Sequence, residues 1–415
     1  MLYYIVLYYQ SNKEAFPLKY WRGYLTAFIF AVITWALMQF GQQFTTLVDM
    51  VYPYVIRTLQ NMLAQWSGGV DFVVWQMLVM VMLIIGLATV VLMVILKWNP
   101  IQWFGWVLAA ASFVYMLNTL VFGLNYFAGP LAEDIRLEVT NYNVEELTEA
   151  AEYYRDKAME LATQVSRDAN GNVDFLDFGT LANQAGDGFH KMTYDHSYAV
   201  FAGSTLPVKQ LHWADFLTKR GVTGMTIGIT GEAGVNPNIP DILLPFAISH
   251  EMAHRMCIAT EEDANFAAFL TGHVNDSVEF RYSAYFMAYR YCYMSLLNAN
   301  TTETSAAAAR VNSGISNELY QDMNYYNKYF SRYGGSGTGS SFNLTPDENG
   351  FVSFGKVTDL LVSWHIQEIV LPSITVEEDP FDPYDPEQVD LSGIGPYEAA
   401  PETTAPPEAE GENNG

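Results

Sequence analysis

Two histidines four residues apart, with a glutamate after the first, stand at His250-Glu251-Met252-Ala253-His254 and form the pattern HExxH. Residues four apart share one face of a helix, so both imidazoles can reach one metal ion while Glu251 lies beside the water that ion carries. The ion expected for such donors is Zn2+. It lowers the pKa of its water towards neutrality, and Glu251, the expected catalytic group, can take that proton and later pass it to a leaving amine. Catalytic zinc takes three protein ligands and keeps one position open. Downstream runs Thr260-Glu261-Glu262-Asp263-Ala264-Asn265-Phe266, in which Thr260 and Asp263 have capping-box spacing, so a second helix is expected from Glu261. Glu261 and Asn265 share a face of it. The expected third ligand is Glu261, ahead of Glu262, and Asn265 is the group expected to orient a ligand imidazole. The plainer reading of Glu261, Glu262 and Asp263 is that acidic groups are favourable at any helix N-terminus. Cys257, as a fourth ligand, would close the site and make it structural.

The block Leu243 to Leu270 resembles an uncharacterised family of multi-pass bacterial membrane proteins, a domain of unknown function with a zinc-protease motif. That pattern, PFxxAHExAHQxGxxxExEANFxAFL, is met by Pro245, Phe246, His250, Glu251, Ala253, His254, Glu261, Ala264, Asn265, Phe266, Ala268, Phe269 and Leu270. Weaker echoes are Leu124-Asn125-Tyr126, Thr230-Gly231-Glu232-Ala233, Tyr282-Ser283-Ala284-Tyr285 and Val357-Thr358-Asp359-Leu360-Leu361. The ExxAN arrangement is similar to the corresponding helix of gluzincin proteases, whose first Glu binds zinc, which implies Glu261 rather than Asp263. Ser249, Arg255, Cys257 and Asp263 depart from the pattern. At Cys257 the family has Gly, which would allow a left-handed exit from the helix.

Several elements must position these groups. Pro245 suits the first turn of a helix running through His254. Gly224 to Thr230 reads as a strand, able to pair with an extended substrate, and Gly231, Gly234, Pro237 and Pro240 after it read as a loop. A helix is expected from Asp276 to Leu297. Tyr282, Tyr285, Arg281 and His273 are candidate donors to the oxyanion of a tetrahedral intermediate, none singled out, and tyrosines on such a helix are more often core. Asn143 and Glu146 form a capping box opening a helix with apolar face Leu147, Ala151, Tyr154, Ala158 and Leu161. Asp168 to Asp174 resembles the start of a calcium loop but lacks its closing acid, and reads as an Asn-Gly turn.

The first part of the chain is a different solvent problem. Three apolar runs, about 24–40, 72–96 and 101–126, are each close to the ~20 residues that cross a bilayer. The first has no small-residue cleavage pattern and reads as a retained anchor rather than a signal peptide. Between the first two, Leu47, Val51, Val55, Leu59 and Leu63 recur at helical spacing, as in a helix at the outer surface or packed on the spans. Lys13, Lys19, Arg22 and Lys97 place the N-terminus and the second loop in the cytoplasm, and everything after Tyr126 outside a bacterial plasma membrane.

The formal net charge is −25 over 415 residues, and no Lys or Arg follows Lys356, which argues against nucleic acid as a partner. Gly334 to Ser341 reads as a flexible loop, and Pro- and Glu-rich residues 373–415 as a disordered acidic tail. Cys257 and Cys292 are too few for a disulfide framework and read as buried thiols, although one bridge is open to them. The expected fold class is mainly α. It comprises a membrane domain of three transmembrane helices (1–130), a predominantly helical α+β zincin-like domain (131–372) and the tail. The expected function is a membrane-anchored zinc metallopeptidase whose partners are the lipid bilayer and a protein or peptide substrate. The competing expectation is a binding or sensory membrane protein with a structural or degenerate zinc site. Intramembrane proteolysis fits poorly, because Ile242 to Ile248 is far too short to span.

Overall fold

Apolar length dictates the first half of the architecture. The computed structural model describes residues 21–333 and 353–372. Its first helices are α1 (Arg22–Gln43), α2 (Thr45–Gly68), α3 (Val74–Ile95) and α4 (Pro100–Val121). Of these, α1, α3 and α4 are long and apolar enough to cross a membrane, the signature of a multi-pass membrane protein in contact with lipid. The third expected span stops earlier, at Val121, and Gly123–Phe127 is a 3-10 turn. Small residues join α1 to α4: a Cβ at Gly23 would lie 2.5 Å from the backbone carbon of Gly105. At the other end a Cβ at Gly41 would meet the Phe127 ring, so the two helices run parallel. Helix α3 stands apart, with none of its apolar window buried.

Helix α2 turns a partly polar face, not its apolar stripe, towards the rest of the protein. The stripe Leu47, Val51 and Val55 is exposed, whereas Val48, Ile56, Arg57, Gln60 and Ala64 turn inward. The reason lies in distant carbonyls that need donors. Arg57 donates to Met256 O and Ala199 O at 3.1 and 3.0 Å. Gln60 donates to Gly228 O at 2.9 Å and to Val121 O at 3.1 Å. A buried carbonyl left without a donor costs about 1–3 kcal/mol, comparable to burying one apolar side chain.

The second half contains α5 (Val144–Ala162), α6 (Phe178–Tyr194), β1 (Lys209–Gln210), β2 (Gly224–Ile227), β3 (Glu232–Val235), α7 (Leu244–Arg255), α8 (Glu261–His273), α9 (Val278–Ala299), α10 (Thr302–Ser313), α11 (Asn317–Tyr333) and α12 (Lys356–His365). The capping box opens α5 as expected, with Asn143 accepting from Glu146 N at 3.0 Å and Glu146 accepting from Asn143 N at 2.7 Å. The Asn-Gly turn is also present, Asp168 accepting from Asn170 N and Asn172 N, with Gly171 at φ +81°.

The sheet has the order β1-β3-β2, β1 parallel and β2 antiparallel to β3, with Gly224 opposite Val235 and Ile227 opposite Glu232. Residues 232–235 therefore form the central strand, where the sequence reads as a loop. All four are buried, and pairing on both edges outweighs the weak strand tendency of Gly234. Glu232 also ties the sheet to a span. Its carboxylate accepts from Val74 N and Trp75 N at 2.8 and 2.9 Å, satisfying the open N-terminus of α3, and pairs with Lys209 at 2.8 Å.

Helix α9 is the axis of the core. Phe280, Tyr282, Phe286, Tyr289, Cys292 and Leu296 are buried around its circumference, as a helix apolar on all sides requires. The Tyr282 hydroxyl donates to Asp322, which also pairs with Arg167 at 2.7 Å. Helices α6 and α8 touch through Gly188, where a Cβ would lie 1.9 Å from Thr271 O. Cys257 and Cys292 are both free and buried. The Gly/Ser segment from Gly334, the acidic tail, Lys13 and Lys19 lie outside the described residues.

Candidate metal centre

Helix α7 begins with Pro245 in its first turn and carries His250, Glu251 and His254 through its last two turns. Its exit decides where the next ligand can stand. Ile258 N bonds Ala253 O and Cys257 N bonds His254 O, at 3.2 and 3.0 Å, with Cys257 left-handed at φ +73°. This is the Schellman turn usually given to Gly, and a non-glycine residue accepts it at a cost of about 1–2 kcal/mol. The reversal brings Ile258 O to His254 Nδ1 at 2.8 Å. It also lets α8 start at Glu261, with Thr260 Oγ1 accepting from Asp263 N at 3.2 Å as the capping spacing predicts.

Among the described residues, His250, His254 and Glu261 form a group that could hold a metal ion. His250 Nε2 and His254 Nε2 are 3.1 Å apart. Glu261 Oε2 lies 3.4 Å from His250 Nε2, and Oε1 lies 3.5 Å from His254 Nε2. Donors at the corners of a tetrahedron about 2.0–2.2 Å from a central ion stand roughly 3.4 Å apart, so each of these separations, the two to Glu261 made by its two different oxygens, is close to tetrahedral spacing. With its Nδ1 hydrogen donated to Ile258 O, His254 points an Nε2 lone pair at the same place. Among the described residues, His250 Nδ1 is buried without a hydrogen-bond partner. Asn265 is half-buried one turn beyond Glu261 and makes no side-chain hydrogen bond among the described residues; the imidazole of His254 is oriented by Ile258 O instead. Glu262 is not in the group.

The electrostatics favour a positive charge between these groups. Hydrogen bonds from His250 and His254 hold the Glu261 carboxyl well below the usual carboxylate range. Burial works to lower the pKa of His254, but its bond to Glu261 and the charges of Glu251 and Glu261 outweigh this and raise it. Glu251 is raised by burial, against the nearby histidines and a hydrogen bond from Thr226.

Strand β2 closes in on Glu251. Thr226 Oγ1 lies 2.7 Å from Glu251 Oε2. A Cβ at Gly224 would lie 2.3 Å from Glu251 Oε1, so any side chain there would push the carboxylate aside. Glu251 and the three candidate ligands face a cavity of ≈ 250 Å³ whose other walls are Thr223 to Thr226 and two aromatics, Phe122 and Tyr126, from the turn after α4. Those aromatics stack edge-to-face at 6.2 Å.

None of the four donors considered from sequence lines this cavity. Tyr282 is bound to Asp322, Arg281 donates to Asn275 O and Asp276 O, His273 packs with Phe269 and Trp364, and Tyr285 packs with Phe269. Tyr126 faces the site instead, exposed and within electrostatic reach of Glu261. Its only sequence signal is the Leu124-Asn125-Tyr126 echo. Cys257 lies in a separate small cavity with Arg57 and Asn125, its thiol pushed up to about 11 by burial, and is not in the metal-binding group.

Fold and site together define a mainly helical protein with three helices long and apolar enough to cross a membrane and, among the described residues, a His-His-Glu group that could hold a metal ion. Residues 48–362 match the family described as protein of unknown function (DUF3810), and the chain belongs to that family. No curated protein and no solved structure matches it.

Proposed function

We propose that the protein is a membrane-anchored zinc metallopeptidase that hydrolyses peptide bonds of protein or peptide substrates outside the cytoplasm. The observation that carries this reading is the tetrahedral spacing of His250, His254 and Glu261 with a buried carboxylate, Glu251, beside them. Two imidazoles and one carboxylate suit zinc better than magnesium or calcium, which prefer all-oxygen sets. Because Cys257 is turned away, three protein donors leave a fourth position open, as catalysis rather than a closed structural site requires. Zinc, when bound, supplies an acidified water and a polarised carbonyl.

The chain's own residues do the rest. Glu251, raised by burial and held by Thr226, accepts the proton of the attacking water and returns it to the leaving amine. The Tyr126 hydroxyl donates to the oxyanion. Among the described strands β2 has β3 on one side only, so an extended substrate can pair along its other edge beside Glu251. Arg22 and Lys97 lie at the end of the parallel α1–α4 pair opposite the metal group; positive charge favours the cytoplasm, so the site is assigned to the far side.

The test compares the whole chain with Glu251→Gln in a peptide-library cleavage assay with metal analysis. We expect one zinc per chain in both and cleavage only in the parent, a drop of about 10²–10⁴-fold or more. Equal cleavage by the variant, or no cleavage by the zinc-loaded parent, refutes the reading.

A further inference from the structure

Among the described residues, helix α3 is the candidate span with no buried apolar window, yet it carries a glycine that serves no contact with any of them. A Cβ at Gly86 would meet nothing within 4 Å, whereas those at Gly23 and Gly105 would collide with the opposing helix. In lipid, small residues are where helices approach one another, and the approach at Gly86 is unused.

Gly86 lines a groove of ≈ 1330 Å³ between α3 and α4. The groove runs from Trp98 and Asn99, at the turn joining the two helices, to Ile227, Ile229 and Thr230 on β2 and the turn after it. It therefore extends over the membrane-crossing length of both helices. Across from Gly86 its wall is also small, at Ala110 and Ala111.

Two features select the occupant. A lipid chain covers one leaflet, while the groove continues through both, as a transmembrane helix does. The outer end of the groove is Ile227, and the preceding residues of the same strand, Gly224 to Thr226, wall the metal centre. A polypeptide leaving the groove is delivered onto the edge of β2; a second copy of this chain resting there would leave that continuity without use.

We propose that the groove takes the transmembrane span of a substrate membrane protein and that the bond cut lies about three to six residues outside that span, since Ile227 and Gly224 are ~10 Å apart along the strand. This deepens the peptidase reading and rests on it.

Disulfide trapping tests the docking without any need for turnover. The full chain bearing Glu251→Gln and Gly86→Cys is placed in phosphatidylcholine nanodiscs with a synthetic peptide. The peptide has a Leu/Ala span of about 20 residues carrying one mid-span Cys, followed by a mixed-sequence polar segment. Cys257 and Cys292 are buried and stay out of the reaction. The control is Ile84→Cys, exposed on α3 and outside the groove lining. We expect the Gly86→Cys adduct in at least about tenfold higher yield than the control, as fixed proximity gives. Chains with Glu251 and Gly86 intact should cut the same peptide in the window just outside its span. Equal yields, no adduct, or disulfides only between two copies of the chain overturn the docking, as do cuts spread along the polar segment. An adduct with no cut by the intact chain instead overturns the peptidase reading.

Discussion

Replacing Gly224 with alanine should silence the site while leaving its metal in place. The backbone of Gly224 is not left-handed, so alanine is conformationally allowed, and its lower unfolded-state entropy contributes about 0.4–1 kcal/mol of stability. The added methyl, however, would lie 2.3 Å from Glu251 Oε1 and 2.6 Å from its Cγ. The carboxylate must withdraw by about 1 Å to restore ordinary contact, because the strand behind the methyl is held by β3. That movement breaks the 2.7 Å bond from Thr226, a charge-assisted bond of about 1.5–3 kcal/mol. A displacement of this size at a reacting group costs about 10²-fold in rate, or ~2.7 kcal/mol of barrier. None of the three nearest atoms belongs to a candidate ligand, so zinc content should remain at the parent's value. The assay is kcat/KM on a cleaved peptide, read beside metal stoichiometry on the same preparation. Parental activity in the variant would refute the assignment of Glu251 as the base, and loss of metal would show that β2 supports the ligands rather than the carboxylate.

Other outcomes follow from the same contacts. Glu261→Gln should weaken zinc binding by more than about a hundredfold in competitive titration. Because the bond to Glu261 helps to raise the pKa of His254, protons compete with the metal for that imidazole, and the zinc affinity of the parent should fall as the pH is lowered. His273, buried beside Phe269, Tyr285 and Trp364, is lowered from 6.5 to about 4 by that burial. The unfolded chain takes up this proton near 6.5 and the folded one only near 4. Stability is then full above 6.5 and falls as the pH drops towards 4. His273→Phe should shallow that slope in denaturation midpoints without abolishing it, because His365 is lowered to about 4 in the same way. Gly188→Ala drives a methyl to 1.9 Å from Thr271 O. Overpacking of about 1–3 kcal/mol should outweigh the ~1 kcal/mol gain in helix propensity and lower the Tm by a few degrees.

The parts legible in the sequence are those set by local rules. Span lengths follow from apolar runs, the start of α8 from the hydroxyl of Thr260, and the shared face of His250 and His254 from helical spacing. The parts that were not legible depend on partners far along the chain. Strand β3 exists because β1 and β2 flank it. The inward face of α2 is the one bearing Arg57 and Gln60, because carbonyls some 140 to 200 residues away accept their hydrogens. Tyr126 reaches the metal group from the end of a span, more than 120 residues before His250, and no periodicity or cap encodes that approach. Cys257 was legible as an anomaly, and the Schellman turn gives it a role as the corner between the two helices that carry the candidate ligands.

The bonds from Arg57 and Gln60, with the two aromatics over the cavity, bear on how the protein can be handled. Cutting away an anchor to obtain a soluble catalytic fragment presumes that the anchor is a tether. Here a fragment beginning near residue 131 would leave Met256 O and Gly228 O without their donors, and would deprive Glu232 of both backbone partners in α3. It would also remove Phe122 and Tyr126 from one wall of the site. The membrane segment is half of the mould of the candidate site, and purification has to start from the intact chain in detergent or nanodiscs.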